Sequence, residues 1–284
     1  MRTLSALAIG FAVAGASAAA AQPLVSADWL AAHRRDPHVV VLDIRTAEQH
    51  QAGHIPGAVS AEFGRTGWLV AQRDGSVGAL PPVPVIAGAI GALGVGDADQ
   101  AVIVSDDFPA AARVYWTFKV LGHGSVSILD GGSLAWTGPV ENGPVAPKPA
   151  EFTAHYDASV RAELPEVVAA VADGRAALVD SRPEAQWLGT AKMPAVHAFG
   201  HLPGAVWVDQ HTALTPDGRL KPAEALAPLF AAVGGKPAIT YCNAGYLSAT
   251  DWFVLSEVLH HPGTKLYDGS MTQWTADPSR PVER

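Results

Sequence analysis

The stretch from Ala238 to Ser248 combines a nucleophilic side chain with a backbone that could activate it. The apolar run 238–241 ends on Cys242, the only cysteine of the chain, and a helical pattern begins six residues later, at Ser248. A strand, a tight loop and a helix N-terminus in this order turn backbone N–H groups and partial positive charge into the loop. A cysteine at the mouth of such a loop favours its thiolate, which is the nucleophilic form. The sequence therefore predicts Cys242 as a nucleophile and residues 243–248 as an anion cradle.

The first 21 residues have the pattern of a signal peptide. Arg2 supplies a positive start, 4–13 an apolar segment, and 19–21 an A-x-A cleavage site. The pattern predicts an exported, periplasmic protein whose mature chain starts near Gln22 and keeps no membrane anchor. A single cysteine cannot form a disulfide within the chain, and a stray thiol is a hazard in an oxidising compartment. The cysteine count therefore favours a reactive thiol over the alternative, a buried structural cysteine.

The charge composition of the chain limits the kinds of molecule to which it could bind. Lysine and arginine total 19 and aspartate and glutamate total 27, so the net charge is 19 − 27 = −8, and no basic stripe is present. This balance argues against nucleic acid and anionic membrane surfaces as partners. Eleven histidines raise the question of a metal, but the adjacent pair His260-His261 does not have the spacing of a zinc site. We therefore expect no metal.

The two halves of the chain repeat one set of motifs. In each half, strands alternate with helical patterns, which predicts an α/β fold with two tandem domains, each a mainly parallel sheet flanked by helices. A Pro- and Gly-rich segment between them is typical of a semi-rigid linker. We expect an N-terminal domain over 22–138, a linker over 139–159 and a C-terminal domain over 160–284. The matching segments are 41–45 with 177–182, 53–59 with 200–206, and 128–133 with 266–270, each of the last pair followed by a tryptophan, Trp136 or Trp274.

The repeat shows that the two halves differ at the candidate nucleophile. Aligning the strand 101–105 with 237–241 sets Asp106 opposite Cys242. We therefore expect the first half to be catalytically silent, kept for packing and to wall the cleft. In the same alignment Trp116 matches Trp252, which favours a core role for both tryptophans.

Taken together, the motifs resemble the tandem-domain rhodanese family of sulfurtransferases. The resemblance covers nearly the whole chain after the predicted signal peptide, in the family's order. It rests on Leu178-Val179-Asp180-Ser181-Arg182, on the Gly-His-[Ile/Leu]-Pro-Gly-Ala motif of both halves, on Thr240-Tyr241-Cys242 with Gly245, and on Asp268-Gly269-Ser270 with Trp274.

The resemblance implies a reaction with two steps and no organic cofactor. The Cys242 thiolate attacks the outer sulfur of an anionic donor such as thiosulfate or 3-mercaptopyruvate, which leaves as sulfite or pyruvate. The Cys242 persulfide then passes its sulfur to a nucleophilic acceptor, cyanide or a thiol. Both steps place anionic sulfur in the loop, where backbone N–H groups would stabilise it.

The predicted substrate-binding residues are an arginine and the loop itself. Arg182 is the cation expected to orient the donor, with a structural ion pair to a carboxylate such as Glu184 as the alternative. Family members that use thiosulfate usually carry Arg or Lys after the cysteine, and the mercaptopyruvate branch reads Gly-Ser-Gly-Val-Thr there. This chain departs from both patterns, so the resemblance does not fix the donor. The loop residues are Asn243, Ala244, Gly245, Tyr246, Leu247 and Ser248.

One histidine of the silent half is a further candidate. His54 would reach the cleft and act in proton transfer. Because His201 repeats it in the second half, a role in the fold is the stronger interpretation.

Two other functions could also explain a cysteine in such a loop. A Cys-loop phosphatase needs an arginine at the end of its loop to hold phosphate, and Ser248 stands there, which argues against that class. A sulfane-sulfur carrier, charged by a partner protein and discharging to a sulfur-accepting protein, stays open because the loop lacks positive side chains.

Overall fold

Two all-parallel sheets organise the computed structural model, which describes residues 21–284. The predicted signal peptide lies outside the described residues, apart from Ala21. The first sheet has the order β1-β5-β4-β2-β3. Its strands are β1 (Leu24–Val25), β2 (Val39–Asp43), β3 (Val59–Ser60), β4 (Gln100–Val104) and β5 (Val126–Leu129). Its helices are α1 (Ala27–His33), α2 (Ala47–Ala52), α3 (Val83–Ala92) and α4 (Phe108–Val120), followed by a 3₁₀ turn at Gly132–Ala135.

The second sheet has the order β7-β6-β8-β9. Its strands are β6 (Ala177–Asp180), β7 (Val206–Trp207), β8 (Ala238–Tyr241) and β9 (Lys265–Leu266). Its helices are α5 (Leu164–Asp173), α6 (Glu184–Trp187), α7 (Ala223–Leu226), α8 (Ser248–Phe253) and α9 (Ser270–Trp274). 3₁₀ turns cover Gln210–Ala213 and Ala227–Val233, and a π-helical turn, Val254–Val258, continues α8. The predicted fold, two α/β domains with parallel sheets flanked by helices, is confirmed.

Local capping explains where the helices begin. Ser26 accepts the N–H of Trp29 at the start of α1, and Thr46 and Gln49 form a reciprocal capping box at α2. α4 begins at Phe108 with Pro109 in its first turn, where a missing N–H costs nothing. These signals are short-range, so they can be read from the sequence.

The parallel pairing of β6 and β8 brings the candidate site residues to one edge of the second sheet. Strands β6 and β8 are neighbours, and Asp180 lies opposite Tyr241 at their carboxyl ends. The residues that follow, Arg182 and Cys242, therefore leave the sheet side by side. This is the edge at which α/β proteins place their ligand sites.

The two domains share one hydrophobic core. Helix α4 of the first domain packs against α8 of the second, and Trp116 and Trp252 are both fully buried in the same cluster, as predicted. The ring of Tyr115 meets that of Phe253 edge to face, with centroids 5.0 Å apart. The domain interface is therefore a continuation of the core and not a surface contact.

The segment between the domains follows the first domain closely. Residues 142–159 contain neither helix nor strand, yet the Ala150 N–H donates to Gly91 O at 2.9 Å and the His155 N–H to Leu121 O at 2.8 Å. Phe152 packs into the shared core. These contacts agree with a semi-rigid linker, while its bounds, 139 and 159, stay a prediction. Among residues 21–284, no helix has the length and apolar character needed to cross a membrane.

One ionisable group is buried in α8 without compensation. Both carboxyl oxygens of Asp251 are buried, and within the described chain neither has a hydrogen-bond partner. Burial raises the pKa of this carboxyl well above its usual value; Ser181 acts in the opposite direction, while Asp209 and Asp180 raise the pKa further. Burial therefore favours the neutral form of this carboxyl.

We predict that Asp251→Asn stabilises the protein at pH 8 and has little effect near pH 4. A carboxyl whose pKa is raised by folding binds its proton more tightly in the folded state, so stability is retained at low pH and lost as the pH rises. Thermal unfolding at pH 4 to 8 should show the variant melting a few degrees above the parent at high pH. Asp36→Asn, at an exposed turn, is the control. A difference that does not change with pH would contradict the prediction.

Candidate active site

A serine of the second domain fixes the first half of the cysteine loop. Cys242 follows β8 directly and is 1% exposed. Its N–H and that of Gly245 both donate to Ser270 Oγ, at 3.1 and 3.0 Å, and this hydroxyl donates to Tyr267 O at 2.7 Å. Ser270 is held at φ 50°, which is rare for a residue other than glycine. One hydroxyl therefore sets the curvature of the loop.

The other amides of the loop are available to a ligand. The backbone N–H groups of residues 243, 244, 246, 247 and 248 make no hydrogen bond with any residue in the range 21–284. Helix α8 starts at Ser248, the position predicted from the sequence. Successive unpaired amides in a tight loop are an arrangement with which proteins bind anions.

Arg182 lies beside Cys242 but is largely occupied by its own strand. Its Nε and Nη2 donate to the Asp180 carboxylate, the shorter bond measuring 2.6 Å, and Nη2 also donates to Gly200 O. The ion-pair partner is therefore Asp180, and not Glu184 as the alternative had suggested. Nη1 donates no hydrogen bond to any described residue. Burial by itself would lower the pKa of Arg182, but Asp180 and, more weakly, the Cys242 thiolate raise it overall.

A second arginine near Cys242 comes from the silent domain and was missed by sequence reasoning. Arg113, in α4, is fully buried; its Nη1 donates to Gly245 O at 3.0 Å and its Nη2 to Gly78 O at 2.9 Å. Its guanidinium also lies 4.4 Å from the ring centre of Trp116. The signal that could have found it is a lone arginine in the apolar run 108–118.

Burial lowers the pKa of Arg113 to about 10, while the charges of Asp268 and Cys242 act in the opposite direction. The two side chains are thus close enough for their charges to interact. Arg113 therefore supplies from behind the loop part of the positive charge that the loop side chains lack.

Two glycines allow the close approach behind the loop. A Cβ on Gly245, whose φ is 68°, would lie 2.6 Å from Arg113 Nη1 and 2.6 Å from Asp268 Cα. A Cβ on Gly78, in the first domain, would lie 1.9 Å from Ala244 O. Since the neighbouring atoms are mostly backbone, neither position has room for a side chain.

The remaining loop residues form the mouth of the site. Asn243 is 9% exposed, and its Nδ2 donates to Gln186 Oε1 at 2.8 Å. The hydroxyl of Tyr246 donates to the Asp107 carboxylate of the silent domain, and the Tyr246 ring packs on Phe63. The other loop side chains differ in exposure: Ala244 and Leu247 are half-buried, whereas Ser248 is buried with its Oγ unpartnered among the described residues.

The matching loop of the silent domain is closed by its own side chain. Asp106, opposite Cys242 in the repeat, accepts the N–H and the hydroxyl of Ser133 at 2.8 and 2.7 Å. Arg45, the counterpart of Arg182, donates its Nη1 to the same Ser133 hydroxyl. In the second domain Met271 occupies the place of Ser133, so Arg182 lacks that partner.

The structure does not bring His54 to Cys242. His54 Nδ1 lies 2.8 Å from His50 O, the two imidazoles stack with centres 3.9 Å apart, and the His54 backbone pairs with Glu141. These contacts lie within the first domain and its linker, so the predicted role in proton transfer has no support from this placement. Across residues 21–284, no group of three or more His, Cys, Asp or Glu side chains is arranged to hold a metal ion.

We predict that Gly78→Ala lowers kcat/KM for sulfur transfer by at least about tenfold, because an added methyl must displace Ala244 and with it the cysteine loop. Gly124→Ala is the matched control, since nothing lies within 4 Å of a Cβ there. Steady-state kinetics and circular dichroism on both variants check the prediction. Equal activity of the two variants would show that the contact of the first domain with the loop is dispensable.

Comparison with known proteins agrees with this architecture. A family model described as "Rhodanese-like domain" matches residues 26–139 and again 163–277. The sulfur carrier protein TtuD of Thermus thermophilus is 34% identical over 274 residues, 88% of this chain and 93% of that protein. A putative thiosulfate sulfurtransferase of Mycolicibacterium smegmatis is 32% identical over 275 residues, 92% of this chain and 97% of that protein.

Among solved structures, that of SseA from Escherichia coli, presented as showing the rhodanese fold of 3-mercaptopyruvate sulfotransferases, is similar with a TM-score of 0.78. It is 28% identical in sequence, and the match covers 88% of this chain and 98% of that one. Both domains of the present chain match the family model, and the relatives match over nearly its whole length. The chain therefore belongs to the rhodanese family of sulfurtransferases, with two rhodanese-like domains in tandem.

Proposed function

We propose that the protein moves sulfane sulfur through a persulfide on Cys242, from an anionic donor to a nucleophilic acceptor. The observation that carries the proposal is the cysteine loop itself: Cys242 is buried, five loop amides have no hydrogen-bond partner among the described residues, and the charges of Arg113 and Arg182 interact with the Cys242 sulfur. The names of its relatives supply the candidate donors, thiosulfate and 3-mercaptopyruvate.

In the first step the Cys242 thiolate attacks the outer sulfur of the donor. The new sulfur–sulfur bond forms as the donor's bond to that sulfur breaks, and sulfite or pyruvate leaves with the electron pair. The loop amides bind the anionic sulfur during the attack on the donor and again in the stored persulfide. Fixed hydrogen-bond donors are most effective for this in a site from which water is excluded. In the second step an acceptor, cyanide or a thiol, takes the outer sulfur and regenerates the thiolate.

Within this proposal Arg182 orients the donor through Nη1, the terminal nitrogen without a hydrogen-bond partner among the described residues. The ion pair with Asp180 holds the Arg182 guanidinium in a fixed orientation, which suits recognition of a sulfonate or carboxylate.

A carrier function is the second candidate. The loop side chains carry no charge, and the relative from Thermus thermophilus is named a sulfur carrier protein. In this version a partner protein charges Cys242, and a sulfur-accepting protein discharges it. We also propose, from the N-terminal sequence pattern, that the protein is exported to the periplasm.

The proposal predicts that brief exposure to thiosulfate, or separately to 3-mercaptopyruvate, adds one sulfur atom to the intact protein. The added mass should disappear on treatment with cyanide and should not form in Cys242→Ser, whose fold is checked by circular dichroism. Mass spectrometry after removal of excess donor gives the answer. If neither donor adds sulfur while a persulfide-bearing protein does, the carrier function is correct; a gain that persists in Cys242→Ser would exclude Cys242 as the sulfur carrier.

A further prediction separates the binding and structural roles of Arg182. We expect Arg182→Lys to raise KM for the anionic donor about tenfold, with a smaller change in kcat, because lysine keeps the charge and loses the fixed fork. Arg45→Lys is the matched control, since Arg45 makes the same ion pair with Asp43 in the silent domain. Steady-state kinetics on both variants should show the KM change in the first alone. A similar KM in both would mean that Arg182 is structural.

A further inference from the structure

We propose that Asp268 is a positioning residue for the reaction at Cys242. It holds the turn to which the cysteine loop is bound, and it sets the balance of charge behind that loop. The inference rests on the proposed persulfide function and adds to it a residue that acts through the loop. It follows from the hydrogen bonds of one buried carboxylate and of the turn that comes after it.

The turn that follows Asp268 holds the cysteine loop through four hydrogen bonds. In two of them the Ser270 hydroxyl accepts amides of the loop. In the other two, the backbone N–H groups of residues 271 and 272 donate to Cys242 O, at 3.1 Å, and to Asn243 O, at 3.0 Å. A displacement of this turn would therefore displace the sulfur.

The Asp268 carboxylate fixes the turn to two other parts of the chain. Its side chain is 2% exposed. Arg161 donates to both of its oxygens, from Nε at 2.9 Å and from Nη2 at 3.0 Å, which is the bidentate geometry of a strong arginine–carboxylate pair. From the silent domain, the Leu80 N–H donates to Oδ2 at 2.6 Å. One carboxylate therefore joins the turn to the start of the second domain and to the silent domain.

The silent-domain segment that binds Asp268 also contacts the cysteine loop directly. Gly78, two residues before Leu80, lies against Ala244 and accepts the Nη2 of Arg113. The segment 78–80 thus reaches the loop itself at one end, and at the other end, through Asp268, the turn to which the loop is bound.

The same carboxylate balances the cations behind the loop. Burial lowers the pKa of Arg113; Asp268 and, more weakly, Cys242 raise this pKa, whereas Arg161 lowers it further. These charges are therefore close enough to interact. Loss of the Asp268 charge makes the potential behind the sulfur more positive, and loss of the Arg161 charge makes it more negative.

The equivalent carboxylate of the silent half is held differently. Asp130 has the place of Asp268 in the repeat. Its Oδ1 is buried without a partner among the described residues, and its Oδ2 lies 3.4 Å from Arg219 Nη1 in a partly exposed ion pair. At this position of the repeat, the bidentate pair occurs in the half that carries the cysteine.

The test labels Cys242 with two reagents of nearly equal size, iodoacetate, which is an anion, and iodoacetamide, which is neutral. Mass spectrometry of the intact protein gives both rates, and their ratio reports the potential at the sulfur. We expect Asp268→Asn to raise the ratio of iodoacetate to iodoacetamide about threefold and Arg161→Gln to lower it about threefold, because they remove charges of opposite sign. The double variant should return the ratio towards that of the parent.

The matched controls are Asp130→Asn and Arg219→Gln, the corresponding changes in the silent half, which should leave the ratio unchanged. Loosened packing affects both reagents alike, so a merely structural role of Asp268 would not change the ratio. No change, or a change in the same direction in Asp268→Asn and Arg161→Gln, would overturn the proposal. If Asp268→Asn alone does not fold, the fall in Arg161→Gln and its reversal in the double variant decide between the two roles.

Sulfur transfer gives a second readout. Asp268→Asn should lower kcat at least about tenfold, because the turn loses its anchor, without raising KM for the anionic donor, because the site becomes more positive. Asp130→Asn should keep both constants of the parent. Steady-state kinetics on the two variants checks this, and a raised KM with an unchanged kcat in Asp268→Asn would contradict the positioning role.

The outcomes separate this inference from the function on which it rests, because labelling does not require sulfur transfer. If the ratio responds as expected and no donor forms a persulfide on Cys242, the proposed function fails and the electrostatic role of Asp268 stands. If the persulfide forms and the ratio does not respond, sulfur transfer stands and the proposal for Asp268 is wrong. A parent protein that neither reagent labels at Cys242 would contradict both, since that thiol could not take sulfur from a donor either.

Discussion

The structure depends on one buried cation, Arg113, that joins two backbone carbonyls across the domain interface. A guanidinium without water is costly, and the loss is offset only where its hydrogen bonds and nearby negative charge are well placed. Here Gly78 O and Gly245 O accept its terminal N–H groups, Trp116 covers its face, and Asp268 and the Cys242 sulfur supply the opposing charge. Because these partners come from both domains, the packing of the domains supports the cysteine loop in addition to the hydrogen bonds of Ser270.

Each half of the chain therefore supplies part of the candidate site. The second half provides Cys242, the proposed nucleophile, and holds the loop of this cysteine through Ser270. The first half, whose own loop is closed by Asp106 and Ser133, contributes Arg113, the backbone of Gly78 and the carboxylate that holds Tyr246. The silent half lines the mouth of the cleft, as the repeat had suggested, and also carries part of the site's electrostatics. A domain without a nucleophile is thus still part of the chemistry of the site.

The sequence predicted those features that depend on short-range patterns. The start of α8 at Ser248 follows from a local run of residues, and the alignment of the halves identified Asp106 opposite Cys242. Contacts between residues that are far apart in the sequence could not be predicted from such local patterns. Arg113 and Gly245 are 132 positions apart, and no periodicity links them. For Arg182 the sequence allowed a structural ion pair with a carboxylate and offered Glu184 as an example; the structure forms this pair with Asp180, two residues before Arg182.

The shared core between α4 and α8 also bears on how such a chain can change over evolutionary time. The first half carries no cysteine, so its loss would leave Cys242 in place. Its loss would expose Trp252, Phe253 and Leu266 to water and remove Arg113 from the loop. A shortened chain would therefore have to replace these apolar side chains with polar ones and supply a new positive charge at the same time. The half without a cysteine is in this sense hard to lose, because it completes the surroundings of the half that carries Cys242.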